Sequence, residues 1–178
     1  MNVSGLTSRV CAARLFAAFL AVLFALAVTL AFAERAEAKK IVGTNKSERL
    51  VGTSKNDKIL GRGGNDKLFG KAGDDKLKGG SGKDILRGAS GDDKLKGGSG
   101  QDKLKGNSGN DTLAGGAGND RLAGGAGNDI AKGGNGADTI FLGSGEDSAF
   151  GGDGNDTIHA DGDDGPDTID CGPGDDVA

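Results

Sequence analysis

From Leu50 to Ile158 an aliphatic or alanine residue returns at every ninth position. The series runs Leu50, Ile59, Leu68, Leu77, Leu86, Leu95, Leu104, Leu113, Leu122, Ala131, Ile140, Ala149 and Ile158. Its immediate neighbours are mostly polar: Lys-Leu-Lys, Thr-Leu-Ala and Thr-Ile-Phe are typical triplets. That alternation predicts a very short strand with its middle residue turned inward. Between triplets the chain is glycine and aspartate. The cleanest nine-residue unit is Gly115–Ala123, with glycine at positions 1, 2 and 4, aspartate at 6 and leucine at 8. Gly43 to His159 is 117 residues, thirteen such units without insertion. A short fixed period of this kind predicts an all-β solenoid of tandem units.

The aspartates carry the candidate chemistry. They stand at 57, 66, 75, 84, 93, 102, 111, 120, 129, 138, 147 and 156, in steps of nine. An ionised carboxylate is an acceptor only, and glycine lets backbone carbonyls converge where a Cβ would obstruct them. Carboxylate and carbonyl oxygens together make the shell of a hard cation such as Ca²⁺. One aliphatic side chain per nine residues is too little to fold the unit alone. Metal binding and folding are therefore expected to be one event.

On these residues the chain resembles the RTX, or haemolysin-type, calcium-binding nonapeptide repeat family, from Gly43 to its last residue. The resemblance implies a parallel β-roll with two units per 18-residue turn and several calcium ions between successive loops. Carried over, the metal-site aspartates are Asp66, Asp75, Asp84, Asp93, Asp102, Asp111, Asp120, Asp129, Asp138, Asp147, Asp156 and Asp167. The matching glycines are Gly79, Gly82, Gly97, Gly100, Gly115, Gly118, Gly124, Gly127, Gly133, Gly136, Gly151 and Gly154.

The two ends depart from the repeat. Residues 1–38 hold a short basic region at Arg9 and Arg14, the apolar run Leu15–Phe32, and two small-residue sites ending at Ala33 and Ala38. This reads as a secretory signal peptide, so the mature chain is expected outside the cell and not inserted in a membrane. Residues 39–60 read as a linker and degenerate capping repeats, with Lys46 and Lys55 in place of the position-4 glycine and Glu48 at one position 6. The β-roll proper is expected over 61–178. Near its end come two extra residues, an acidic cluster at Asp161, Asp163 and Asp164, and both prolines, Pro166 and Pro173. Only Cys171 follows the signal segment, so no internal disulfide is expected, and metal is the available staple.

Composition excludes several classes. No phosphate-binding loop, dinucleotide fingerprint, G-x-S-x-G or H-E-x-x-H is present, and His159 is the sole histidine. No enzyme is expected. The charge is uneven: residues 39–132 carry a net +7, and residues 133–178 a net −12 with no lysine or arginine. In the 18-residue register Lys58, Lys76 and Lys94 stack on one sheet, with Lys78 and Lys96 beside them. Parallel strands lie about 4.8 Å apart, so these lysines repel one another and an anionic polymer could relieve them. Solubility and edge protection are the simpler use of the same residues. No aromatic residue interleaves with those lysines, and nucleic acid is not an expected partner. Position 8 predicts a thin core at Ala131 and Ala149, 18 residues apart, with exposed Ile130 available if the register shifts.

Overall fold

The computed structural model describes residues 38–160 and 165–178. The predicted signal segment up to Glu37, and Asp161, Asp163 and Asp164, lie outside the described residues.

Among the described residues, fifteen strands alternate between two parallel sheets. Odd-numbered strands form an eight-stranded sheet in the order β1-β3-β5-β7-β9-β11-β13-β15, and even-numbered strands a seven-stranded sheet. The first strands are β1 (Lys40–Val42), β2 (Arg49–Val51), β3 (Lys58–Gly63), β4 (Lys67–Ala72), β5 (Lys76–Ser81), β6 (Ile85–Ser90) and β7 (Lys94–Ser99). Then come β8 (Lys103–Ser108), β9 (Thr112–Ala117), β10 (Arg121–Ala126), β11 (Ile130–Asn135), β12 (Thr139–Ser144), β13 (Ser148–Asp153), β14 (Thr157–His159) and β15 (Thr168–Asp170). Within the repeat each residue pairs with the one 18 further on, as in Leu77 with Leu95 and Leu104 with Leu122. This is a parallel β-roll, and successive units fall on opposite sheets.

The strands are longer than the triplets that predict them. From β3 to β13 each runs six residues, through positions 7 to 9 and on into positions 1 to 3 of the next unit. Ladder pairing with identical neighbours on both sides overrides glycine's poor strand propensity. The turn shrinks to positions 4 to 6.

Position 8 is the core from Ile59 to Ile158, and Ile59, Leu68, Leu86, Leu113, Leu122 and Ile140 are fully buried. At the ends it fails: Leu50 is only half-buried, and Ile169, expected in the core, is 37% exposed on the last strand of its sheet, with no further turn to cover it. The two small core residues fall side by side, as their spacing predicts. Ala131 and Ala149 pair directly on the odd sheet, and Leu142, at position 1 of its unit and within β12, is fully buried in the same cluster. Leu142 stands where other units carry glycine. No register shift occurs: Ile130 stays 41% exposed beside buried Ala131.

Position 2 of the repeat takes positive φ. Glycine fills most of these sites, but Arg62, Lys71, Ala89 and Asn107 adopt φ of 86°, 99°, 104° and 89°. Lys46 and Lys55, at the fourth position of the first two units, do not share that conformation.

Candidate metal centre

Each turn brings an aspartate to the same place. All twelve position-6 aspartates from Asp57 to Asp156 are at most 3% exposed. The position-6 side chain folds inward from the loop and divides its two oxygens between two tasks.

Oδ1 accepts a backbone N–H from the preceding turn. The N–H of Asp66 donates to Asp84 at 2.8 Å, Asp84 to Asp102 at 2.8 Å, Asp102 to Asp120 at 2.8 Å and Asp120 to Asp138 at 2.7 Å. The opposite loop column repeats this through Asp75, Asp93, Asp111, Asp129 and Asp147.

Oδ2 is turned toward the position-1 glycine five residues earlier. A Cβ placed on Gly79 would lie 2.3 Å from Oδ2 of Asp84, and one on Gly115 2.3 Å from Oδ2 of Asp120. Glycine is required there by space alone. Among the described residues this oxygen is buried and without a hydrogen-bond partner in Asp66, Asp75, Asp84, Asp93, Asp102, Asp111, Asp120, Asp129, Asp138, Asp156 and Asp167. A buried unpaired polar atom costs about 1–3 kcal/mol, and a charged one more. A row of such acceptors, with main-chain oxygens beside them, has the chemistry of a cation site.

Backbone oxygens converge on the same loops. At position 4, a Cβ on Gly100 would meet the Gly82 carbonyl oxygen 2.0 Å away, and one on Gly118 would meet that of Gly100 at 2.1 Å. At position 2 the carbonyls of Gly80 and Gly98 press in the same way on Gly98 and Gly116. Gly124, Gly127, Gly133, Gly136, Gly151 and Gly154 repeat these environments, and Gly97 repeats that of Gly79. Their positive φ at position 4 and the close approach explain why glycine recurs.

Burial sets the electrostatics. It lifts the carboxyls of Asp93, Asp120 and Asp129 to about 7, and those of Asp75, Asp102, Asp111 and Asp138 to about 6. Asp84 is raised by the same cause. The N–H donated from the preceding turn opposes the rise, and neighbouring carboxylates add to it. A cation among these oxygens would reverse the balance.

Among the described residues no three His, Cys, Asp or Glu side chains gather at one point. The donor set is one carboxylate per loop plus main-chain oxygens, which suits Ca²⁺ and gives a thiolate- or imidazole-seeking metal nothing.

The first two units solve the same problem without a cation. Oε2 of Glu48 accepts the Thr44 N–H at 2.6 Å, and Oδ2 of Asp57 accepts both the N–H and the hydroxyl of Thr53.

A second ladder was not foreseen in the sequence. Outside the aspartates, position 5 passes hydrogen bonds in the opposite direction. Oδ1 of Asp74 accepts the Asp92 N–H at 3.1 Å, Asp92 that of Asn110 at 2.8 Å, and Asn110 that of Asn128 at 2.8 Å. The signal for it is the recurrence of Asn or Asp directly before the aspartate.

The lysines sit where the register puts them. Lys58 pairs with Lys76 and Lys76 with Lys94, Lys78 pairs with Lys96, and all five are exposed. On the even sheet, cations do meet aromatic rings. Arg49 lies over the Phe69 ring at 4.7 Å, and Arg121 over Phe141 at 4.3 Å. His159 stacks on Phe141 with ring centres 4.5 Å apart.

Fold and loop chemistry together define a parallel β-roll with buried carboxylates placed for a hard cation. The family model for the RTX calcium-binding nonapeptide repeat matches this chain in overlapping stretches from residue 42 to residue 178, and the protein belongs to that family. A search of curated proteins returns no match.

Proposed function

We propose that this is a secreted protein whose β-roll folds on binding calcium and then serves as a structural or surface-interaction module. The observation that carries the reading is the row of buried, unpartnered Oδ2 atoms facing glycine. In it, the position-6 aspartates from Asp66 to Asp156, with Asp167, give one carboxylate oxygen each, and the glycine-rich loops give main-chain oxygens. Calcium supplies the charge that lets these carboxylates stay ionised inside the stack. The apolar run Leu15–Phe32, followed at once by small residues, supports export. Absence of the usual catalytic motifs supports a non-enzymatic role.

Circular dichroism on the signal-free chain tests the reading. A β-rich spectrum should develop as calcium reaches about 10⁻⁴–10⁻³ M, the range of extracellular calcium modules. A far-UV spectrum that several-fold more calcium leaves unchanged would sink it.

A second reading is adhesion to an anionic polymer through the odd-sheet lysines. The directly paired and exposed Lys58, Lys76 and Lys94 favour it. Retention on an anionic matrix that weakens steeply with salt is its signature.

A further inference from the structure

The odd sheet has a pocket of about 120 Å³ beside Lys78, and the even-numbered sheet carries a larger one. A shallow groove of about 250 Å³ crosses its outer face, lined by Phe69, Ile85, Arg87, Lys103, Lys105 and Arg121 among others. We propose that this groove binds a linear acidic polysaccharide, a site separate from the odd-sheet lysines. The proposal rests on the calcium-folded β-roll, because the groove exists only when β4 to β10 are paired.

Three observations carry it. The first is charge. Outward positions of the even strands hold Arg49, Lys67, Arg87, Lys103, Lys105 and Arg121. The other residues at positions 7 and 9 are Val51, Phe69, Ile85, Ala123, Thr139, Phe141, Thr157 and His159, and the exposed ends of the same strands add Lys71, Ser90, Ser108 and Ala126, so no carboxylate neutralises the row from its own face. The second is geometry. Arg87 pairs with Lys105, and Lys103 with Arg121. Four cations thus border the groove on adjacent strands about 4.8 Å apart, and Lys67 and Arg49 continue them along the stack. A polymer lying along the solenoid axis meets a cation at most steps. The third is the floor. Ile85 is 38% exposed, and with Phe69 and Ala123 it gives an apolar bed between the charges. A sugar ring offers a C–H face to such a bed and its carboxylate or sulfate groups to the rim.

The aromatic rings argue against single-stranded nucleic acid. Base stacking needs a free ring face. Arg49 covers a face of Phe69, and Arg121 and His159 both lie against Phe141.

The test uses the signal-free chain in saturating calcium, with heparin as probe, dextran as neutral control, and oligothymidylate and phosphatidylglycerol vesicles as rival anions. Circular dichroism is read first, so that failure to fold with calcium is scored against the folding reading and not against the groove. The expected result is heparin binding that weakens with salt and exceeds that of both rivals. R87Q/K105Q should weaken it about tenfold, while K46Q/K55Q, at exposed loop positions outside the groove, should leave it within about twofold. If R87Q/K105Q loses its calcium-dependent spectrum, K103Q/R121Q takes its place with the same expected loss. Equal losses from the loop and even-sheet variants would overturn the proposal, showing charge without a site. So would tighter binding to oligothymidylate or vesicles, or no heparin binding by the folded chain.

Discussion

The backbone N–H of Asp102 donates to Oδ1 of Asp120, 2.8 Å away and 18 residues later in the chain. One carboxylate oxygen therefore ties two turns together, and the other is buried without a hydrogen-bond partner. Asp57 differs, because its Oδ2 is already taken by Thr53.

The contrast yields a paired prediction. Asp120→Asn keeps the acceptor for Asp102 and replaces Oδ2 by a donor. It should lower the number of bound calcium ions and cost about 1–3 kcal/mol of calcium-bound stability. Asp57→Asn should reduce stability through its clash with the Thr53 N–H and leave the ion count unchanged. Calorimetric titration with thermal melts separates the two. An equal loss of ions in both variants would show that the first units bind calcium after all.

Acidity should act in opposite senses with and without the metal. The buried carboxyls are raised from 3.8 to about 7 at Asp93, Asp120 and Asp129. A raised folded value means that the metal-free fold holds protons which the unfolded chain releases. Metal-free stability should therefore fall as pH rises between about 4 and 7. Calcium competes with those same protons, so its affinity should rise over that window. Circular dichroism in calcium-stripped buffers, against calcium titrations at each pH, checks both slopes. Metal-free β-structure that increases toward pH 7 would contradict the assignment.

The core gap predicts against intuition. Ala149 invites a larger residue, but Leu142 is fully buried in the same cluster. Ala149→Leu should destabilise the calcium-bound form by about 1–3 kcal/mol through overpacking. Adding Leu142→Gly, the residue the repeat uses at that position, should recover part of the loss. Thermal melts at fixed calcium would read this, and a rise in melting temperature for Ala149→Leu alone would show unfilled space.

Ala89 holds φ of 104° at a position where Gly80, Gly98, Gly116 and Gly125 also have positive φ. Ala89→Gly should stabilise the calcium-bound protein by about 1 kcal/mol by removing the strain of a side chain in that region. Ala126→Gly, whose residue lacks positive φ, should give no gain. Equal effects from the two in parallel melts would refute the strain argument.

The sequence carried the period, the inward residue and the alternation of sheets, because each is set by spacing. Lys58, Lys76 and Lys94 came out paired for the same reason. What spacing could not carry was contact across turns. That Asp84 is buried follows from an N–H 18 residues away, at Asp66. That Gly79 and Gly80 lie in a strand follows from ladder pairing, against their own propensity. Leu142 looked like a lost glycine until the alanines opposite the series gave it a reason. Thr44 and Thr53 were silent, since a backbone donor substituting for a cation leaves no mark in composition. Arg49 and Phe69 are 20 residues apart in the sequence, and their contact appears only once β2 and β4 pair.

The two side-chain ladders give the stack a grain. Position-6 bonds run from a backbone donor to a carboxylate one turn later, as from Asp102 to Asp120, and position-5 bonds run from a donor back to a side chain one turn earlier, as from Asn110 to Asp92. Along the loop column from Asn56 to Glu146 each junction between turns is thus stitched by bonds of opposite sense. Under tension along the chain, such a junction cannot part by losing one bond at a time. The roll should give way in discrete clicks, one 18-residue turn per event, each paying out about 60 Å of extended chain. Mechanically it is a ratchet whose tooth is a single turn.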